Sequence, residues 1–234
     1  WISFFGFSLQ PSEFVKPTFA VVAAWLFEGQ KKYCDFPGNL LSTAFYALTA
    51  ALLLLQPDLG MTIVVTLIWG FQFFLSGLSI SLVVILGLLG LAGAVAAYFI
   101  FPHVHVRVDQ FLASENSLGY QIKKSLEAFQ SGGFFGRGPG EGVVKENIPD
   151  AHTDFIFAVA AEEYGMLLCL LIVGIYAAIV VRSMLISAKD NNLFIILSAA
   201  DLSASFGLQA IINMASSLHM MPTKGMTLPF ISYG

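Results

Sequence analysis

Six apolar stretches, at about residues 14–27, 40–56, 59–76, 80–101, 156–181 and 193–219, constrain this chain more than any other feature. Each is rich in Leu, Val, Ile, Phe and Ala, and most approach the ~20 residues a helix needs to cross a bilayer. Backbone polar groups facing lipid must bond to one another, which leaves helices or a closed barrel. The two-residue alternation of barrel strands is absent. The sequence therefore predicts an all-α, polytopic membrane helical bundle. Composition agrees: 57% of residues are hydrophobic and 11% charged, whereas a soluble domain carries about 25% charged residues. The formal charge of −4 argues against nucleic-acid binding. Cys34 and Cys169 lie far apart with no metal-type neighbour and read as plain thiols. Gly87, Gly90 and Gly93 recur at a spacing that suits close helix packing. The first stretch is short and is expected to extend back through Pro11–Glu13. A chain that opens on Trp1 and closes on Gly234 without a polar tail reads as an internal piece of a longer polytopic protein.

Lys and Arg in short loops set orientation. Lys31 and Lys32 lie in the 28–39 loop, and Arg182 and Lys189 in the 182–192 loop, so both loops are expected in the cytoplasm. Alternation then puts the long segment 102–155 outside, within a single membrane domain of residues 1–234. Inside that segment, 119–130 (GYQIKKSLEAFQ) places Ile122, Leu126 and Phe129 on one face, as in a helix lying in the membrane interface. The next run, SGGFFGRGPGEG at 131–142, matches neither a GK[ST]-ended phosphate loop nor GxGxxG. It reads as a set of tight turns or as a backbone lining that lets a large head group approach.

Ionisable residues in or beside spans are costly and face polar cavities or partners. In QPSEFVK at 10–16, Glu13 and Lys16 share a helix face, as an ion pair, a cavity wall or both. In QPDLG at 56–60, Asp58 is placed to cap the following helix. In NIPDAHTDFIFAVAAEEYG at 147–165, Asp154 follows His152 and Thr153 at the outer edge of a span, with Glu162 and Glu163 deeper along it as a polar groove running into the bilayer. Burial and neighbouring acids would raise the Asp154 pKa, which suits a proton acceptor near neutral pH. Asp201 sits in mid-span without an evident partner. Lys224, in the broken segment 219–234, reads as part of a structured turn or as a cation for an anionic head group. The residues alone thus describe a membrane protein with an outward-facing polar cavity for an amphiphilic or anionic molecule.

Five of these motifs appear together and in order: WISFFGFSLQPSEFVK, QPDLGM, GYQIKKSLEAFQSGGFFGRGPGEG, IPDAHTDFIFAVAAEEYG and MPTKGMTLPFISYG. With them the chain resembles the SEDS family of cell-wall polymerases across nearly its whole length, and its ending resembles the division branch more than the elongation branch. The resemblance implies about ten membrane helices, of which six fall here. It implies a peptidoglycan glycosyltransferase that polymerises lipid II at the outer face of the bacterial cytoplasmic membrane. Asp154 matches the family's essential acid, and Glu13 with Lys16 its paired Glu and Lys. His152, Thr153, Glu162, Glu163 and Lys224 are the further candidates for the cavity or for substrate binding. The residue at Asp201 departs from the small or apolar one expected in relatives.

A mechanism follows from the resemblance. A sugar hydroxyl of one lipid II attacks an anomeric carbon, lipid pyrophosphate leaves, and Asp154 takes the proton. Lys224, Lys16 or a divalent cation could balance the pyrophosphate. No cofactor is otherwise implied, and the metal, if one is used, is unspecified. The implied partners are a class B penicillin-binding transpeptidase and other division-site membrane proteins. A lipid II flippase and a non-catalytic division scaffold are the alternative readings.

Overall fold

All six apolar stretches fold as helices. This computed structural model describes residues 2–4, 7–9, 11–56, 58–77, 80–112, 119–222 and 225–233; Lys224 lies outside the described residues. Helices α1 (Pro11–Lys32), α2 (Gly38–Leu55), α3 (Leu59–Leu75) and α4 (Ile80–Ile100) cover the first four stretches. Two helices of the long loop follow, α5 (Pro102–Leu112) and α6 (Tyr120–Gly132), and then α7 (Ile156–Ser187) and α8 (Leu193–Ser217). An antiparallel hairpin, β1 (Ile2–Phe4) with β2 (Phe7–Leu9), precedes them and adds to the all-helical expectation. Among the described residues, α2, α7 and α8 are long and apolar enough to cross a membrane. Helix α3 has 17 residues, and α1 carries Glu13, Lys16, Glu28, Lys31 and Lys32. Asp58 caps α3 as expected, its carboxylate accepting from the Met61 N–H at 2.9 Å.

The chain divides into two compact units. One comprises residues 1–89 and 180–205, and its core is an aromatic ladder through α1, α2 and α3. Phe19 stacks on Phe45 and Tyr46 on Trp69, while Phe73 meets both Phe27 and Trp69 edge-on. Buried polar groups are tied across the same helices: the Trp69 indole donates to Ser42 Oγ at 3.1 Å and the Gln72 amide to the Ala20 carbonyl at 2.6 Å. Glu28, Lys31 and Lys32 share a shallow cavity of about 560 Å³ with Asp190, Asn191, Asn192 and Leu193. The two loops grouped together by their charge therefore lie on the same side.

The other unit comprises residues 90–179 and 206–234. Its core joins Phe157, Ala161, Cys169, Ile172 and Tyr176 of α7 to Ala210 and Met214 of α8 and to Leu228 beyond it. A second cluster joins Ala128 of α6 to Ile148, Ala151, Phe155 and Ala158. Helix α6 differs from the surface helix expected from its pattern. Its buried stripe is Ile122, Ser125, Ala128 and Gly132, mostly small residues that admit close packing within the protein, and Ser125 Oγ donates to the Ser217 carbonyl at 2.7 Å.

Close backbone approach also falls elsewhere than the spacing of Gly87, Gly90 and Gly93 suggests. A Cβ at any of those three would meet nothing within 4 Å among the described residues. The close approach is at α7, which breaks at Gly165 (φ 77°, ψ −175°). The glycine-rich loop after α6 docks into this break. The Arg137 and Gly138 N–H groups donate to the Glu162 and Glu163 carbonyls at 2.9 and 3.0 Å, and the Met166 N–H donates to the Gly133 carbonyl at 2.9 Å. The loop thus supplies partners to backbone groups freed by the interruption, which a helix near lipid cannot leave unpaired. A Cβ on Gly136 (φ 80°) would fall 2.2 Å from the Glu163 carbonyl oxygen. Gly136→Ala is therefore expected to destabilise the full-length protein by about 3 kcal/mol or more, whereas Gly90→Ala should change stability by less than about 1 kcal/mol. Thermal unfolding of the two variants beside wild type in detergent micelles checks this contrast.

Candidate functional site

Asp154 lies in a turn, residues 151–155, that leads into α7. Both edges of this turn are pinned. On one edge, the Asp150 carbonyl accepts from the N–H groups of Thr153, Asp154 and Phe155 at 3.1, 3.1 and 3.3 Å. Asp150 itself takes a positive φ of 56°, which Asp tolerates better than most residues. On the other edge, three consecutive carbonyls are held by the end of α8 and the segment after it. His152 accepts from the Tyr233 N–H at 2.9 Å, Thr153 from Ser232 Oγ at 2.7 Å, and Asp154 from Asn213 Nδ2 at 2.9 Å. Asn213 is fully buried and also donates to the Met226 carbonyl at 2.7 Å. Ser232 Oγ accepts from the Leu228 N–H at 2.7 Å, and the Tyr176 hydroxyl donates to the Pro229 carbonyl.

The backbone is thus committed while the carboxylate is not. Among the described residues nothing hydrogen-bonds the Asp154 side chain, which is half-buried. A Cβ on Gly225 (φ 69°) would stand 3.3 Å from its Oδ2, so the absence of a side chain there keeps space at the carboxylate. Burial raises the Asp154 pKa above the ordinary aspartate range, and the nearby Asp150 charge raises it further. The shift makes this carboxylate a stronger proton acceptor than an ordinary aspartate. The His152 side chain is exposed, and Thr153 Oγ1 donates back to the Asp150 carbonyl at 3.2 Å.

Glu162 and Glu163 are used differently from the deeper groove expected beneath Asp154. Glu162 is completely buried. Its carboxylate accepts from the N–H groups of Val143, Val144 and Lys145 at 2.9, 2.9 and 2.8 Å and from Ser131 Oγ at 3.3 Å. Those amides open a short 3-10 turn, Val144–Asn147, whose free N–H groups favour an anion. Glu163 pairs with Lys145, and that contact raises the lysine pKa. Both acids therefore anchor the loop to α7.

Glu13 and Lys16 form an ion pair at 2.5 Å in the other unit, with Lys16 3% exposed. Asp201 is also in that unit. It is fully buried, and neither carboxylate oxygen has a hydrogen-bond partner among the described residues. Among the described residues no group of three or more His, Cys, Asp or Glu converges that could hold a metal ion. Those residues do not by themselves make a divalent-cation site. Asn213 and Ser232 escaped the sequence reading. The signal for Asn213 was present, a fully polar amide inside an apolar helix run, whereas Ser232 carries none.

The chain belongs to the cell cycle protein family FtsW/RodA/SpoVE, whose pattern it matches over residues 1–234. It is 47% identical, over all of its length, to a probable peptidoglycan glycosyltransferase FtsW of Caulobacter vibrioides, and covers 60% of that protein. It is similar, at 28% identity and TM-score 0.77, to a chain of a peptidoglycan synthase complex solved to explain how polymerization and crosslinking are coordinated, covering 67% of that chain. It is also similar to the rod shape determining protein RodA of Thermus thermophilus, at 27% identity and TM-score 0.62, covering 62% of it. The family and the apolar helices make this a multi-pass membrane protein.

Replacing Glu162 by Gln keeps the shape but removes the charge that three amides share. Hydrogen bonds to charged groups are worth about 1.5–3 kcal/mol each. Glu162→Gln is expected to speed amide hydrogen exchange across 143–147 by 10-fold or more, while exchange in α2 stays unchanged; exchange read by mass spectrometry on the full-length protein tests this.

Proposed function

We propose that the full-length protein polymerises lipid II into glycan strands during bacterial division, with Asp154 as the general base. The chain spans about 60% of the Caulobacter relative, so this reading concerns the whole protein. The observation that carries it is the Asp154 turn: a rigid backbone, an unencumbered half-buried carboxylate and a raised pKa. Depth along α7 supports it. From Gly165 to Arg182 a helix rises about 25 Å, close to the ~30 Å hydrocarbon core. Asp154 then stands beyond the outer boundary, at the height of a head group whose lipid tail is in the membrane.

In the proposed reaction the Asp154 carboxylate removes the proton from an acceptor sugar hydroxyl as that oxygen bonds to the donor anomeric carbon. The bond from that carbon to the pyrophosphate oxygen breaks, and lipid pyrophosphate departs with the electron pair. The cation proposed for the pyrophosphate is Lys224. His152 and Thr153 are proposed to flank the sugars. The proposed setting is the outer face of the cytoplasmic membrane at the septum, with a class B penicillin-binding transpeptidase and other division-site proteins as partners.

Asp154→Asn is isosteric and cannot accept the proton, so polymer formed from lipid II by purified full-length protein should fall at least ~100-fold. Wild-type levels of polymer from that variant would refute the base, and a wild type that moves lipid II across vesicles yet makes no polymer would favour a flippase. The base must be deprotonated, so activity should rise with pH through the Asp154 pKa. Asp150→Asn removes a negative neighbour and lowers that pKa, and the acid limb of the pH–rate profile is expected to move to lower pH.

A further inference from the structure

We propose that Asn213 and Ser232 are positioning residues that hold Asp154 in its working place through the backbone of residues 152–154. This inference rests on the reading of Asp154 as the base. Three successive carbonyls accept from three separate donors, and two of those donors are side chains. Each side chain makes a second bond into the segment that follows α8, Asn213 to the Met226 carbonyl and Ser232 from the Leu228 N–H. Asn213 is thus the point where α8, the Asp154 turn and residue 226 meet. Ser232 does the same one carbonyl earlier along the turn.

The consequence concerns placement. Met226 adjoins Gly225, whose missing side chain leaves room beside Asp154 Oδ2. By tying Asp154 and Met226 to one amide group, Asn213 keeps the carboxylate and that opening in register. The segment 228–232 turns sharply, with the Ser232 N–H donating to the Leu228 carbonyl at 2.9 Å and Phe230 at φ 65°. A non-glycine residue held at positive φ is a local cost that surrounding contacts must offset. That turn aims Ser232 Oγ at Thr153. Asp150 is the charged neighbour acting on Asp154. Among the described residues, Asn213 of α8 meets its carbonyl and Gly225 adjoins its Oδ2, and neither titrates.

A loosened turn gives the carboxyl to water. Its pKa then falls toward the ordinary value, and the attack geometry is lost, where misplacement of about 1 Å can cost ~100-fold. Ser232→Ala in the full-length protein, assayed on lipid II, should lower kcat by roughly 10- to 100-fold with KM nearly unchanged, and shift the acid limb to lower pH. Ser232→Thr keeps the hydroxyl and should restore both. Asn213→Ser should act in the same direction and more strongly. Amide exchange at residues 153–155 should be faster in Ser232→Ala than in wild type. A Ser232→Ala protein with wild-type exchange there overturns the positioning role. So does a fall in kcat that matches only the loss of folded protein, with the acid limb unmoved. Failure of the base itself reads out separately, as polymer formation by Asp154→Asn, and leaves the exchange result to decide whether the turn is held as described.

Discussion

The carboxylate of Glu162 is the interaction on which the unit of residues 90–179 and 206–234 depends. It is completely buried, an expensive position for a charge, and four donors compensate it: three consecutive amides and a serine hydroxyl. Those amides belong to the loop that leads to Asp154. The same stretch of α7 lends the Glu162 and Glu163 carbonyls to the glycine-rich loop, and the break at Gly165 makes room for it. One interrupted helix therefore organises the whole run from α6 to the candidate base.

Asp154 benefits from that order without being consumed by it. Its turn is fixed by Asp150 on one edge and by Asn213, Ser232 and Tyr233 on the other. None of these bonds uses its carboxylate. Burial and the Asp150 charge both favour the protonated acid, which puts the group nearer the pH at which it would exchange a proton. Rigidity comes from the backbone, and reactivity is left to the side chain.

Much of this was legible in the residues, because long apolar runs leave few alternatives to helices. The six stretches, the Asp58 cap and the Glu13–Lys16 pair need only local rules of period and spacing. The order of motifs carried the family. What could not be read was whatever depends on two distant segments meeting. Glu162 and Glu163 looked like the lining of a groove because sequence shows their depth along α7 but not the loop that binds them. Ile122, Leu126 and Phe129 suggested a helix lying in the membrane interface, whereas the buried stripe runs through Ile122, Ser125, Ala128 and Gly132, mostly small side chains that permit approach. Gly87, Gly90 and Gly93 have the spacing of a contact, yet among the described residues nothing lies within 4 Å of a Cβ placed there. Asn213 and Ser232 bond to carbonyls 59 and 79 residues away along the chain; the polar amide in an apolar run marks Asn213 but not its partner, and nothing marks Ser232.

The central claim is the state of one carboxyl group, and its titration tests that claim most directly. Carbon-13 NMR of the full-length protein in nanodiscs, with labelled aspartate and Asp154 assigned by its loss in Asp154→Asn, would follow that carboxyl across pH. A midpoint above the ordinary aspartate range is predicted; a midpoint at or below it, as for a solvated or ion-paired aspartate, would contradict the account.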